Sequence, residues 1–358
     1  MNASATLRAS YVRQARTSII GHLVVALRPR SADQNKLQSI VRVDHIDYRQ
    51  QCDRERTGQP VLFDVEKDAI TKETCVDDRY LGRSDTESIM EWEEDNSIRV
   101  RLKKMFTVFP YRDPIYLVAI IFLFGSITLV ISALFELLPL LTPASFEEAQ
   151  EEIAIPITIL LGSILFLVAG IFDTFGALNA DRGTIGTSKS NPTKVRYRPA
   201  LVGTPEFRWI PSSEKMWDLT MNSLAFQAGL LVLFGGVIFV FAGIVDFPGI
   251  VSQEDPLFSS IVFGPQVVHG LIFFVANAML AYSEQERWYK PKFTDPDWLS
   301  AIFNTIGGLL FMIAGIFMFT RGQYGSQGEL QGAIAAMVGS LAFLIGSIVR
   351  WYVVLEVW

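Results

Sequence analysis

The sequence predicts an all-α membrane protein: six transmembrane helices arranged as three tandem helical hairpins, preceded by a mostly polar cytoplasmic N-terminal region. Three observations carry the prediction. Half of the 358 residues are apolar, and they are concentrated in the C-terminal two-thirds of the chain. There they form six runs, each reaching the roughly 20 residues that a helix needs to cross a bilayer core. Within those runs, small residues recur at fixed spacing around a phenylalanine. The boundary follows, with residues 1–113 as the N-terminal region and 114–358 as the transmembrane domain.

Residues 1–32 contain no acid and carry Arg8, Arg13, Arg16, Arg28 and Arg30 among serines and threonines. This composition reads as a basic, partly disordered cytosolic tail, with a mitochondrial address as the alternative. Residues 33–96 are polar with short apolar runs such as 60–65, and read as a small α/β element or an arm packed on the membrane part. Residues 97–113 (SIRVRLKKMFTVFPYRD) place basic groups and aromatics directly before the first span, as an anchor for an anionic leaflet would. The 194–199 stretch (KVRYRP) reads as a second such anchor, or as a short extended segment paired with the N-terminal region.

The six expected spans are residues 115–137, 153–178, 224–247, 261–282, 299–319 and 333–355. Positive charge falls in alternate connections. Arg101, Lys103, Lys104 and Arg112 precede the first span, seven Lys or Arg lie between the second and third, and Arg287, Lys290 and Lys292 lie between the fourth and fifth. The other connections hold only Arg321, so both termini are expected in the cytoplasm. Plasma membrane or endomembranes are the expected location. Trp209, Trp217, Trp288, Trp298 and Trp351 fall at the expected cytoplasmic ends of spans, where indole rings anchor. The two cysteines, Cys52 and Cys75, lie in the N-terminal region, which this topology places in a reducing compartment, so free thiols are expected.

The repeat is best seen in the second span, LGSILFLVAGIFD. Its template is Gly162, Ser163, Phe166, Ala169, Gly170 and Asp173. The third span matches throughout with Gly235, Gly236, Phe239, Ala242, Gly243 and Asp246. The fifth gives Gly307, Gly308, Phe311, Ala314 and Gly315, and the sixth gives Gly339, Ser340, Phe343, Gly346 and Ser347, ending in Arg350. The first fits loosely through Gly125, Ser126 and Leu129. Template spacing within successive pairs of spans is similar, whereas the gaps between pairs vary. The unit is therefore a two-span hairpin used three times in the same orientation. The template positions share one helical face. Lipid gives helices no hydrophobic reason to associate, so a face of small residues reads as a packing face.

The segment PYRDPIYLVAIIFLFGS at 110–126, the GSILF at 162–166 and the repeated GSxxF or GGxxF pattern resemble the uncharacterised fungal integral membrane proteins that carry YrhK-like helical hairpins. The resemblance runs from about residue 110 to the C-terminus. It implies a hairpin-built membrane fold and brings no activity or catalytic residue with it.

Two features stand out as candidate sites. The fourth span has His269 where the template has glycine, and Gln266, His269 and Asn277 share a face with Phe273. An ionisable residue at that depth points to interhelical hydrogen bonding or to a proton-sensitive or substrate-contacting stripe. The last template position collects charge, and Asp173 and Arg350, at the same ends of their spans, form a candidate ion pair. The three histidines include only one in the membrane part. No nucleophile elbow, phosphate-cradling loop or metal-ligand spacing is present, so the sequence predicts neither an enzyme nor a cofactor or nucleic-acid binder. The expected partners are membrane lipids, including the anionic cytoplasmic leaflet, and a second copy or another membrane protein. A nonenzymatic scaffold or sensor is the leading reading, and a transporter or channel using the fourth-span polar face is the rival.

Overall fold

The computed structural model describes residues 3–12, 90–91, 98–142, 148–187, 195–252, 254–285 and 289–355. The chain divides into two compact units. The first unit holds residues 1–9, 95–182 and 200–356, and within it six helices are long and apolar enough to cross a membrane. They are Pro114–Leu141, Ile153–Leu178, Leu224–Val245, Phe258–Ser283, Pro296–Phe319 and Gly325–Val354, here called the first to sixth spans. The chain is therefore a multi-pass integral membrane protein.

Local chemistry sets where the odd-numbered spans begin. Asp113, Ser223 and Asp295 cap them by accepting from the amides of Ile115, Phe226 and Asp297. Pro114 and Pro296 follow two of these caps, at a position where a missing N–H costs nothing. The sixth span starts earlier than its apolar run because the helix continues through polar residues as far as Gly325. There φ of 58° and ψ of −146° interrupt it, a conformation that favours glycine.

Each span packs against the next in sequence, and the sixth packs against the first, closing a ring. The template residues build this ring in two ways. Inside each pair, a glycine of one span faces the large residue of the other. A Cβ at Gly125 would lie 2.8 Å from Phe166, and one at Gly162 would lie 2.9 Å from Leu129. Likewise Gly307 faces Phe343 at 2.8 Å, and Gly339 faces Phe311 at 3.0 Å. Between pairs, the glycines admit backbone instead. Gly170, Gly236 and Gly243 of spans two and three would place a Cβ 3.0–3.3 Å from the Cα atoms of Leu233, Leu167 and Leu160. Spans four and five approach more closely still: a Cβ added at Gly270 or Gly308 would lie 2.5 Å from the backbone nitrogen of Met312 or Phe274 respectively. The seam between spans six and one uses serine. Ser340 Oγ donates to the Leu129 carbonyl at 3.3 Å and to Ala336 of its own helix at 2.8 Å, so its hydroxyl is satisfied away from water.

The second unit comprises residues 10–94, 183–199 and 357–358. Its described residues include a three-stranded antiparallel sheet of β1 (Met90–Glu91), β2 (Thr184–Thr187) and β3 (Val195–Arg198), in the order β1-β3-β2. Tyr197 of β3 is opposite Met90 on one side and Ile185 on the other. The KVRYRP stretch is thus the extended segment paired with the N-terminal region. Cys52, Cys75 and the expected α/β element lie outside the described residues, apart from Met90 and Glu91.

Alanine is favoured over glycine inside a helix by about 1 kcal/mol, but overfilling a packed interface costs about 1–3 kcal/mol. Gly270→Ala and Gly308→Ala, which meet backbone, are therefore expected to lower the unfolding temperature in detergent micelles. Gly264→Ala, with nothing within 4 Å of the added carbon, is expected to leave it unchanged or slightly raised. Equal behaviour of the three variants would contradict the backbone-contact account.

Candidate functional site

The six large template residues converge on the ring axis. Leu129, Phe166, Phe239, Phe273, Phe311 and Phe343, one from each span, line a single central space together with His269, Gly270 and Gly308. Their contacts are mostly edge-to-face, the arrangement aromatic quadrupoles prefer. Phe166 lies 6.0, 5.7 and 5.5 Å from Phe239, Phe273 and Phe343 between ring centroids. Phe122 adds a seventh large residue from the first span, 4.6 Å from Phe166. What remains of the space is too narrow for a water molecule.

His269 belongs to this hub. It is 3% exposed and stacks on Phe239, with centroids 4.1 Å apart and planes within 9°. In the other two pairs, the position equivalent to His269 is Gly162 or Gly339, facing the large residue of the partner span. Here imidazole replaces that glycine and lies flat on the partner's ring. Its Nδ1 is 3.3 Å from the Pro265 carbonyl of its own helix, and a carbonyl only accepts, so the tautomer making this contact carries its proton on Nδ1. The expected interhelical hydrogen bond of His269 is therefore a stacking contact between helices and a hydrogen bond within one. Asn277, 1% exposed, donates to the Phe273 carbonyl of the same span at 2.8 Å. Gln266 is half-buried, and its main chain sits beside Gly315. The three polar residues share a face, as the spacing implied, but the face meets aromatic rings and neighbouring backbone.

The candidate pair of Asp173 and Arg350 is not formed. Arg350, 1% exposed, donates from Nη1 to Asp297 Oδ1 at 2.8 Å. Asp173, 0% exposed, accepts from the Ser4 amide at 3.0 Å, the Ser4 hydroxyl at 2.5 Å and the Ala3 amide at 3.3 Å. The reason is ring order. Span six neighbours spans five and one, so Arg350 meets the start of span five and not the end of span two.

Residues 3–12 form a helix, which the basic-tail reading did not anticipate. Its first turns dock on the spans. Asp173 takes up the free amides at its N-terminus, where the helix dipole favours an anion. Arg8 grips Asp113 with both terminal nitrogens, at 2.7 and 2.6 Å, while Asp113 continues to cap the first span. Thr6 donates to Glu284 at the end of the fourth span, at 2.9 Å. Leu7 packs on Ala177, Leu178 and Phe226. The available signal was the set 3, 4, 7 and 8, a small, a capping, an apolar and a basic residue on one helical face. Asn304 was also passed over. It is 1% exposed, neither of its amide atoms has a hydrogen-bond partner, and it presses on Gly346.

Before the first span, the helix Ile98–Thr107 carries exposed Ile98, Leu102 and Phe106, with Arg99 and Lys103 also exposed. Arg101 lies over the Tyr352 ring at 5.5 Å and Phe106 against Trp351 at 5.8 Å, fixing this helix to the end of the sixth span. Among the described residues, no group of three or more His, Cys, Asp or Glu is placed to hold a metal.

Two predictions follow from the charges. In a double-mutant cycle on thermal stability, Arg350 and Asp297 are expected to couple by about 0.5–3 kcal/mol, whereas Arg350 and Asp173 are expected to be additive within about 0.5 kcal/mol. Glu284 lies just beyond the fourth span. Burial raises its carboxyl above the ordinary range and Asp297 and Asp295 add to this, against the Thr6 hydroxyl and Arg350. The native state therefore holds this proton more tightly than the unfolded chain, and the stability it contributes is present below pH 4.5 and is lost as pH rises toward the raised native value. Relative to Glu284→Gln, the parent protein should lose thermal stability as pH increases through that window. A parallel pair of curves would show that Glu284 does not titrate abnormally.

Compared with known proteins, the chain matches no family model, no curated protein and no solved structure.

Proposed function

We propose that this chain is a nonenzymatic scaffold or sensor of a cellular membrane, built as three tandem helical hairpins of the YrhK-like type, with both termini cytoplasmic. The plasma membrane or an endomembrane is the proposed location, and lipids with a second copy or another membrane protein are the proposed partners. One observation carries the reading. The axis of the ring, where a conduit would need polar walls and water, is filled by six large apolar template residues and leaves no room for a water molecule. His269 supports it, since an imidazole stacked flat on Phe239 and bonded within its own helix is spent on packing. The alternating positive charge supports the orientation.

The test is reconstitution of the full-length chain into liposomes containing a pH-sensitive dye, under an imposed potential. Proton entry is expected to equal that of protein-free liposomes, for the parent and for His269→Ala alike. The variant is expected to lose about 0.5–3 kcal/mol of stability, the common range for a single substitution. A flux that disappears in His269→Ala while the unfolding temperature stays put would replace this reading with that of a transporter.

A further inference from the structure

We propose that the helix Ile98–Thr107 lies in the plane of the membrane surface, and that Arg99 and Lys103 on its flank bind the headgroups of anionic phospholipids. The inference rests on the sensor reading and deepens it by giving the sensor a ligand class.

The height of this helix follows from the chain and from two contacts. Only residues 108–113 separate it from the first span. Arg101 over Tyr352 and Phe106 against Trp351 hold it level with the last turn of the sixth span, which ends at Val354. A helix at that height beside membrane-spanning helices meets headgroups and the outermost part of the acyl chains. Phe109 and Tyr111, both exposed, continue its apolar surface toward the first span.

Around the helix, the side chains fall into sectors. At about 100° per residue, Arg101 and the buried Met105 share the side turned to the ring. Ile98, Leu102 and Phe106, successively four residues apart, form the next stripe, and all three are exposed. Arg99 and Lys103 follow on the side away from the ring, exposed as well. In water the apolar stripe would be unfavourable, whereas acyl chains solvate it. Any phospholipid can cover the stripe. The flank discriminates, because two cations held at headgroup level favour a lipid with net negative charge over a zwitterionic one. A soluble anion would meet the cations and leave the stripe in water, so the occupant that answers both is a lipid.

The helix Ser213–Asn222 is an internal comparison. Its Met216 and Leu219 pack on Ala177, Leu178 and Phe226, and its Trp217 and Met221 are exposed. The next sector holds Glu214 and Asp218, both exposed. The sectors match those of Ile98–Thr107, but the flank is acidic, so this helix is expected to meet lipid without preferring anionic headgroups.

The test uses the full-length chain with Cys52→Ser and Cys75→Ser, carrying an NBD fluorophore at Leu102→Cys or Met221→Cys, in phosphatidylcholine nanodiscs. Iodide is expected to quench both probes far less than one at Val100→Cys, an exposed position on the side of the helix opposite the stripe. Phosphatidylserine with a spin label on its acyl chain is expected to quench the Leu102→Cys probe at a mole fraction at least about threefold below that of phosphatidylcholine labelled in the same way. The preference is expected to shrink as salt is raised and to be absent at Met221→Cys. It is expected to vanish in Arg99→Gln with Lys103→Gln at an unchanged unfolding temperature, and to persist in Arg99→Lys with Lys103→Arg, which keeps both charges. Equal quenching by the two lipids in the parent, a preference that survives the glutamine substitutions, or the same preference at Met221→Cys would each overturn the proposal. So would a Leu102→Cys probe open to iodide, or one screened from iodide and from both spin-labelled lipids, which would mean that protein covers the stripe. A proton flux lost in His269→Ala would replace the sensor reading and leave this lipid preference in place, so the two fail separately.

Discussion

A glycine in one helix facing a phenylalanine or leucine in its neighbour is the contact on which the rest of the ring depends. In lipid, an apolar side chain is as well solvated by acyl chains as by another helix, so the drive to associate comes from close packing and from hydrogen bonds. A large ring seated over a glycine maximises the first of these. The reciprocal arrangement, Gly307 under Phe343 and Gly339 under Phe311, holds both helices of a pair at the same height. Sliding either one by a turn would set Phe against a larger residue and leave a glycine facing empty space. The same rings then point to the axis, so fixing each pair also fills the centre.

The second small residue of the template has a different task. At Gly236, Gly270 and Gly308 it lies one position further round the helix, where it meets the neighbouring pair and admits its backbone. Adjacent small residues thus face two different neighbours, which is what a ring requires and a simple hairpin does not. The closing seam departs from this. Ser126 and Ser340 are both buried there, and each hydroxyl bonds a carbonyl one turn back in its own helix, at 2.8 Å in both cases. Ser340 also reaches the Leu129 carbonyl, adding a polar tie across the seam joining the two ends of the membrane domain.

Much of this was legible in the sequence, because membrane spans and a packing repeat are written in local composition and spacing. The template identified Gly162, Phe166, Gly170 and their counterparts as one packing face, and the structure uses them so. What the sequence did not carry was azimuth. Asp173 and Arg350 were placed at the same end of the molecule, correctly, but only the order of helices around the ring shows that Arg350 faces span five. The 3–12 helix was missed for a related reason. Its docking face spans two turns, too short for a hydrophobic period, and its partners Asp113, Asp173 and Glu284 lie more than a hundred residues away in sequence. Residue composition alone made it a basic tail. His269 was visible as an exception to the glycine pattern, but whether it faced water or a ring depended on Phe239, in another helix.

The Arg8 and Asp113 contact shows why such a short segment can be selective. Both side chains are buried, at 7% and 0% exposure, so the pair gains less from its attraction than its geometry suggests, because two charges have left water. The larger effect comes from breaking it. Asp113 accepts from both Arg8 and the first-span amide, and losing the guanidinium takes two charge-assisted hydrogen bonds away from a buried carboxyl group. Lysine would offer a single ammonium in place of two parallel N–H donors and leave one oxygen underused. The pair therefore contributes modest affinity and strong discrimination. A helix carrying arginine four residues after the serine that meets Asp173 supplies donors to both Asp173 and Asp113 at this end of the ring. One lacking it deprives Asp113 of both guanidinium hydrogen bonds at the cap on which the first span begins.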